Sequence, residues 1–387
     1  MALQPSSAAV VGGGIGGLAA AIALLRAGWD VRVYEQAGLR SEVGAGIQLA
    51  PNCTRILRGF GVLPAVERAA VRPTTFEFRR WDDGRLLSAT PLGDAIERSY
   101  GAPYLHAHRA DLVAVLAAAV PAERVEVGRR CVGVEHHDGP AKIRFADGSS
   151  AAADLVVGAD GIHSAVRQAL FGDERPTFTG HVAYRGLVPA ERVPSLDRRC
   201  TVRLGPGAHL VHYFRLRGPL PQRRLHHGGG RVDARVLDRP RRRGRAPGRL
   251  RAMAPGRPGD RGGAGRAAEV GAVRPRPVPA VEPGCRHAAR RRLPPDAALR
   301  AQGAAQTIED AAALAASLTD SADIPSALAR YESARRARTA RVQAISRGNG
   351  ERFHLPDGPR QQARDAAMAA SFGLSPDIDW LYGSRPA

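Results

Sequence analysis

Gly12, Gly14 and Gly17 stand at G-x-G-x-x-G spacing directly after the apolar run at residues 8–11. A glycine at the first position permits a tight turn. The second lets the backbone close on a pyrophosphate, and the third lets a helix pack tightly on a strand. Leu18, Ala21, Ile22 and Leu25 then recur at helical period. The N-terminus of such a helix offers free N–H groups and partial positive charge to an anion. Gly28 ends the helix, Val31 and Val33 begin a second strand, and Glu35 closes it with a carboxylate able to accept from a ribose hydroxyl. A glycine-rich turn alone is common. Strand, turn, helix, second strand and acidic end in succession read as a dinucleotide site. They do not choose between NAD and FAD.

Other residues of chemical interest are spread along the chain. Arg109 opens an apolar helical stretch at residues 109–120, with Asp111 beside it. Asp160 and Gly161 follow a buried strand at 153–157, and a helix starts near Ser164. His209 and Tyr213 lie four apart in AHLVHY, so on a strand they share a face and His212 points the other way. His136 and His137 read as a solvated turn. Cys53, Cys131, Cys200 and Cys285 are scattered and make no metal or disulfide pattern, so no metal is expected.

The elements that must position these groups follow from local pattern. Residues 54–57 are helical, and 74–87 alternate as strands around a turn at Asp83-Gly84. VEVGRRCVGVEHH and AKIRFADG read as a strand pair. Residues 314–318 and 327–331 read as helices packing back on the first domain. The 387 residues are enough for two or three domains. No run of 18 apolar residues and no basic-then-apolar leader is visible, so a cytoplasmic protein without a membrane span is expected.

Several phrases occur in a fixed order: VGAGIQLAPN at 43–52, HRADL at 108–112, DLVVGADGIHSAVR at 154–167, AYRGLVP at 183–189 and AQGAAQTIEDAAALAASL at 301–318. With the glycine motif they resemble the FAD-dependent aromatic hydroxylases, the single-component flavoprotein monooxygenases that include salicylate and 3-hydroxybenzoate hydroxylases. The resemblance covers 1–213 and 301–387. It implies an α/β fold: a Rossmann-like FAD-binding domain (GR2-type flavoprotein), a smaller mainly-β substrate domain and C-terminal helices. The implied FAD domain is 1–71, 100–176 and 301–324, the substrate domain 72–99 and 177–300, and the helical region 325–387.

The resemblance also implies a reaction. NADH or NADPH reduces bound FAD, O2 adds to give a C4a-hydroperoxide, and one oxygen atom passes to an electron-rich phenolic ring. It gives Gly12, Gly14 and Gly17 to the pyrophosphate, Glu35 to the adenosine ribose, and Arg109 to the flavin's phosphate or ribityl part. Asp160 and Gly161 match its Asp-Gly motif. Gln302 and Gly303 fall where backbone N–H groups meet the flavin ring, with Gly46 and Gln48 beside it. His209 and Tyr213 would line the substrate pocket, His209 as base or partner of the phenol. Tyr184 and Arg185 would reach the substrate side. Partners are then a small aromatic substrate and O2, with the chain a monomer or homodimer.

One segment departs from the pattern. The formal charge is +20, but residues 214–300 alone hold 23 Arg against 6 Asp and Glu, together with 12 of the 29 Pro and no aromatic after Phe214. Nucleic-acid binding is not expected from it, because it lacks interleaved aromatics for stacking and Cys/His finger spacing. The family's G-D-A motif is missing here. Starting each codon one base later, residues 221–238 can read LNVVYITVVDESTPESWT, and 269–300 can read a string containing an apolar strand that runs into GDA. Two compensating frame changes, near Tyr213 and near Ala301, account for the composition. On that account 214–300 is expected to lack a coherent core, and the alternative function reading is a non-functional, frameshifted member of the family with weak or absent FAD binding and no hydroxylation.

Overall fold

The computed structural model describes residues 6–38, 46–135, 139–172, 177–189, 193, 197–215, 231–238, 268–274, 287–289, 302–371, 373 and 376–384. At 177–189, 215, 231–238, 268–274, 287–289 and 376–377 the backbone alone is described. The opening unit is β1 (Ser7–Val11), α1 (Ile15–Arg26) and β2 (Asp30–Glu35), with β1 and β2 parallel and Val10 opposite Val33. Along α1 every residue from Gly17 to Leu24 is buried. A helix apolar on all sides must be enclosed on all sides. Ala19, Ala20 and Ala21 are small enough to let that happen.

The chain continues through β3 (Gly46–Leu49), α2 (Pro51–Gly59), α3 (Leu63–Arg68), β4 (Ala70–Val71), β5 (Thr75–Arg80), β6 (Leu86–Pro91), α4 (Asp94–Tyr100), β7 (Leu105–His108) and α5 (Arg109–Ala118). Pro51 starts α2, where its missing N–H costs nothing. The turn expected at Asp83-Gly84 is present: Asp83 Oδ1 accepts from Arg85 N at 2.8 Å, and Gly84 takes φ 71°. Then come β8 (Val125–Val127), β9 (Cys131–Glu135), β10 (Ala141–Phe145), β11 (Ser150–Ala153), β12 (Leu155–Gly158) and α6 (Ala165–Phe171). The remaining strands are β13 (Thr177–Pro189), β14 (Arg199–Gly205), β15 (Ala208–Arg215), β16 (Arg231–Asp238), β17 (Ala268–Arg274) and β18 (His287–Ala289). Among the described residues four helices follow: α7 (Gly303–Thr319), α8 (Ile324–Phe353), α9 (Pro359–Ala369) and α10 (Pro376–Tyr382). The helical stretches expected at 314–318 and 327–331 are parts of the longer α7 and α8.

The fold is α/β, with a parallel sheet in the order β18-β12-β1-β2-β8. Its main core joins Val10, Leu18, Leu24 and Val31 to Leu112 and Leu116 of α5 and to Ile308, Leu314 and Leu318 of α7. Each such side chain contributes about 1.5–3 kcal/mol by leaving water. A seven-stranded sheet runs β17-β13-β16-β15-β14-β5-β6, and small sheets are formed by β3-β7-β4 and β11-β10-β9. The β3-β7-β4 sheet meets the large one through Gln48 and Cys200, whose Nε2 and Sγ lie 3.0 Å apart.

Part of the Arg-rich segment pairs into these sheets. The backbones of β16 and β17 flank β13, and β18 lies beside β12. The expectation for 214–300 concerned a coherent core; these strands are described by their backbone alone. RVDARVLD alternates in sequence, apolar Val232, Ala234 and Val236 against polar Asp233 and Arg235, a pattern that suits a strand. The rest of the segment, and His136 and His137, lie outside the described residues.

The closest backbone approach in the opening unit is at Gly17, where an added Cβ would lie 1.8 Å from the Gly12 carbonyl oxygen. Gly17→Ala is expected to cost at least about 2 kcal/mol by overpacking. Gly161→Ala meets no atom within 4 Å and carries only the strain of φ +80°, about 1–2 kcal/mol. Denaturant unfolding of both variants checks the order; equal stabilities would contradict it.

Candidate functional site

The glycine turn is held from three sides. Gly12 takes φ 109°, and a Cβ there would sit 2.4 Å from the Ala159 carbonyl oxygen at the end of β12. Gly12 N donates to Tyr34 O at 2.8 Å. Glu35 accepts from Gly13 N at 2.5 Å and from Ala37 N at 2.8 Å, so its carboxylate fastens the turn to the end of β2. Sequence reasoning assigns Glu35 to a ribose; the structure adds this bracing role. Gly14 caps α1 without a side-chain hydrogen bond, and no acidic residue lies in the first turn. A Cβ on Gly14 would project toward Arg109 Nη2, 3.8 Å away. Bare helix N–H groups, a glycine without a side chain and a facing guanidinium fit a pyrophosphate.

Asp160 lies beside this turn, its backbone N 2.9 Å from the Cβ position of Gly12. Its side chain does something the sequence reading did not include. Oδ2 accepts from Ala165 N at 2.7 Å and Val166 N at 3.2 Å, and Oδ1 accepts from the Ser164 hydroxyl. Asp160 therefore caps α6 together with Ser164, which accepts from Arg167 N at 2.9 Å. Gly161 turns the chain at φ 80°.

A second cluster joins the N-terminal block to the C-terminal helices. Gln302 caps α7 and is buried, its Oε1 accepting from Asn52 Nδ2 at 3.0 Å. Gly303 follows with open space where a side chain would be. Asn52 Nδ2 also donates to Glu309 Oε1 at 2.5 Å, and Asn52 Oδ1 is buried with no hydrogen-bond partner among the described residues. Glu309 receives Arg335 Nη1 at 2.6 Å and Arg338 Nε at 2.6 Å, while Asp310 receives Arg335 Nε at 2.7 Å. Arg338 also lies 5.0 Å over the Trp380 ring. Burial pushes the Glu309 carboxyl up, but the Arg338 hydrogen bonds and the two guanidinium charges outweigh it and hold it below the usual range. Sequence reading missed this network. The signal was the Glu309-Asp310 pair inside an apolar helix, which charged residues rarely occupy unless partnered.

The third cluster lies between the β3-β7-β4 sheet and the large sheet. Gln48, Tyr104 and His106 come from one side, Cys200 and Tyr213 from the other, all buried. Gln48 stands opposite His106 in the β3–β7 register. Tyr104 Oη donates to Gln48 Oε1 at 2.8 Å. Gly46 begins β3, opposite His108. Tyr213 stacks at 4.4 Å on His106. His209 shares the face of Tyr213 as expected, but it meets other neighbours. Its Nδ1 is 2.7 Å from His354 Nε2, and its ring is 5.5 Å from Phe353. His212 faces away, and burial pushes its imidazole down to about 4. The alternation Tyr104, His106, His108 was the sequence signal for the first wall of this cluster. Tyr184 and Arg185 lie on β13, where side chains are outside the description.

Two consequences follow for the buried ion cluster. Glu309→Gln leaves Arg335 and Arg338 short of a carboxylate and is expected to destabilise the fold by about 3–5 kcal/mol. Because the folded carboxyl sits below its unfolded value, its contribution is present at neutral pH and is lost as pH falls through the folded value. Unfolding of wild type and variant between neutral and acidic pH checks both points. The gap between them is expected to shrink as pH falls.

Comparison with known proteins supports the geometry. Residues 6–190 match the family described as FAD binding domain. The chain is 41% identical over 402 residues to the 3-amino-4-hydroxybenzoate 2-monooxygenase PtmB3 of Streptomyces platensis, covering 98% of this chain and 96% of that one. It is 33% identical to 3-hydroxybenzoate 6-hydroxylase 1 of Aquipseudomonas alcaligenes, covering 97% of each. Among solved structures, HpxO of Klebsiella pneumoniae complexed with FAD and uric acid superposes with TM-score 0.76 at 24% identity, over 95% of this chain and 93% of that one. A salicylate hydroxylase substrate complex superposes with TM-score 0.73 at 23% identity, over 98% of this chain and 96% of that one. With a glycine turn fitted to a pyrophosphate and near full-length identity to enzymes of this kind, the chain belongs to the FAD-dependent aromatic monooxygenases.

Proposed function

We propose that the chain hydroxylates a small phenolic or aromatic acid, consuming NADH or NADPH and O2. The observation that carries this reading is the buried polar cluster of Gln48, Tyr104, His106, Cys200 and Tyr213 where the β3-β7-β4 sheet meets the large sheet. Packed cores rarely gather so many polar groups without a ligand to orient. The names of the relatives support a ring acid bearing hydroxyl or amino groups.

FAD, when bound, would supply the redox chemistry by which NADH or NADPH activates O2, one oxygen atom of which goes to the ring and the other to water. The residues do the rest. Gly12, Gly14, Gly17 and the α1 N-terminus hold the pyrophosphate, Arg109 adds charge to it, and Glu35 serves the ribose while bracing the turn. Asp160 and Gly161 shape the turn beside it. Gly46, Gln48, Gln302 and Gly303 border the flavin ring, where the N-terminus of α7 favours negative charge. His209 takes the phenol proton. Its Nδ1 is already paired with His354 Nε2. A proton gained on the other nitrogen can thus be matched by one passed to His354. Tyr213 bounds the ring.

The segment 214–300 has its own proposal: it is read out of frame between changes near Tyr213 and near Ala301. Its composition and the strand-like strings of the alternative frame support this. Sequencing the gene tests it. An intact frame in related strains that also encodes the Arg/Pro tract would contradict it.

FAD-loaded protein is expected to oxidise NADH or NADPH faster when 3-amino-4-hydroxybenzoate or 3-hydroxybenzoate is added, with hydroxylated product formed. Arg109→Leu is expected to lower retained FAD about tenfold, the loss of one charge-assisted contact. Product analysis and flavin absorbance after desalting check these. Failure to retain FAD, or retention with no response to any ring acid, would overturn the reading.

A further inference from the structure

The His106 imidazole sits at the centre of the polar cluster with an unsatisfied atom. The residue is 1% exposed. Its Nε2 is buried and has no hydrogen-bond partner among the described residues. Its other nitrogen bonds the backbone of Phe214, a contact that favours the protonated ring and so must be N–H to carbonyl. That bond fixes the tautomer: the proton is on Nδ1 and the lone pair is on Nε2. Burial outweighs it and pushes the imidazole down to about 3, so the ring stays neutral at working pH. A neutral, buried, acceptor-only nitrogen demands a donor.

Among the described residues none supplies it. Tyr213 offers its ring at 4.4 Å and Tyr104 its ring edge at 5.8 Å. The Tyr104 hydroxyl is already donated to Gln48, and the Gln48 amide N–H is directed at Cys200. The Tyr104 hydroxyl and the Gln48 amide are thus engaged with Gln48 and Cys200. We propose that His106 Nε2 accepts a hydrogen bond from a hydroxyl or amino group on the substrate ring, and so selects ring acids that carry such a donor. This deepens the proposed function and rests on it. A carboxylate cannot occupy the position, since a lone pair would face a negative charge in a buried site. The acid group of the substrate must therefore point away from His106.

The test compares two probes on FAD-loaded full-length protein by calorimetric titration: 3-amino-4-hydroxybenzoate, which has ring donors, and benzoate, which has none. Wild type is expected to bind the first more tightly. His106→Leu is expected to raise its Kd about tenfold or more, the effect of leaving a buried donor unpaired, and to leave the benzoate Kd within about twofold, a change inside ordinary context scatter. His106→Gln places an amide oxygen near the same spot and is expected to recover part of the loss, with retained FAD equal in all three proteins. Equal weakening of both probes, or no weakening of either, overturns the proposal. If wild type holds FAD but binds neither probe, the functional reading itself fails, and that outcome is distinct from a failure at His106 alone.

Discussion

Helix α1 has no free side, and this enclosure is the constraint the rest depends on. β1 and β2 lie along one flank, α5 along another and α7 along a third, all in one core. The helix must be thin to fit, which is why alanines fill its middle. It must also start within contact of the Gly12 carbonyl, which only a glycine at 17 allows. Enclosure fixes where the N-terminal N–H groups point. An anion site made of backbone has no side-chain rotamers to adjust, so its precision comes from packing. α7 belongs to the C-terminal block, and the anion site of the first 36 residues therefore depends on residues some 300 positions later.

Electrostatics make the same connection in another way. Glu309, Arg335, Arg338 and Asp310 form a buried cluster whose hydrogen bonds reach Asn52 and, through it, Gln302. Such clusters add little net stability compared with apolar packing, because desolvation offsets attraction. What they do well is reject alternatives. A slip of α8 along α7 would strand buried charges, so the register of the two helices is set. Gln302 then has one position relative to α2. The His209–His354 contact ties the substrate-side sheet to the end of α8 in the same manner. The C-terminal helices thus hold both ends of the site.

Legibility in the sequence followed locality. The β1-α1-β2 unit was readable because each glycine acts on atoms a few residues away. The strand placement of His209 and Tyr213, and the outward turn of His212, followed from period two alone. Asp160 was found but its work was not, since capping needs knowledge of how the turn folds back onto α6. The ion cluster was missed because its members are some 25 to 29 residues apart and meet only across two helices. His106 was missed for a related reason: nothing in YLHAH says that its far neighbour is Tyr213. The strands β16 and β17 were missed because an Arg-rich average hid short alternating stretches.

On the proposed function, two blocks, one ending before residue 214 and one beginning after 300, hold the same FAD. Hydrogen exchange with and without FAD tests it directly. FAD is expected to slow exchange in the turn at 12–18 and in the first turn of α7 at 303–307 together, with the same dependence on FAD concentration. Protection confined to the N-terminal block, with the start of α7 unchanged at saturating FAD, would contradict it.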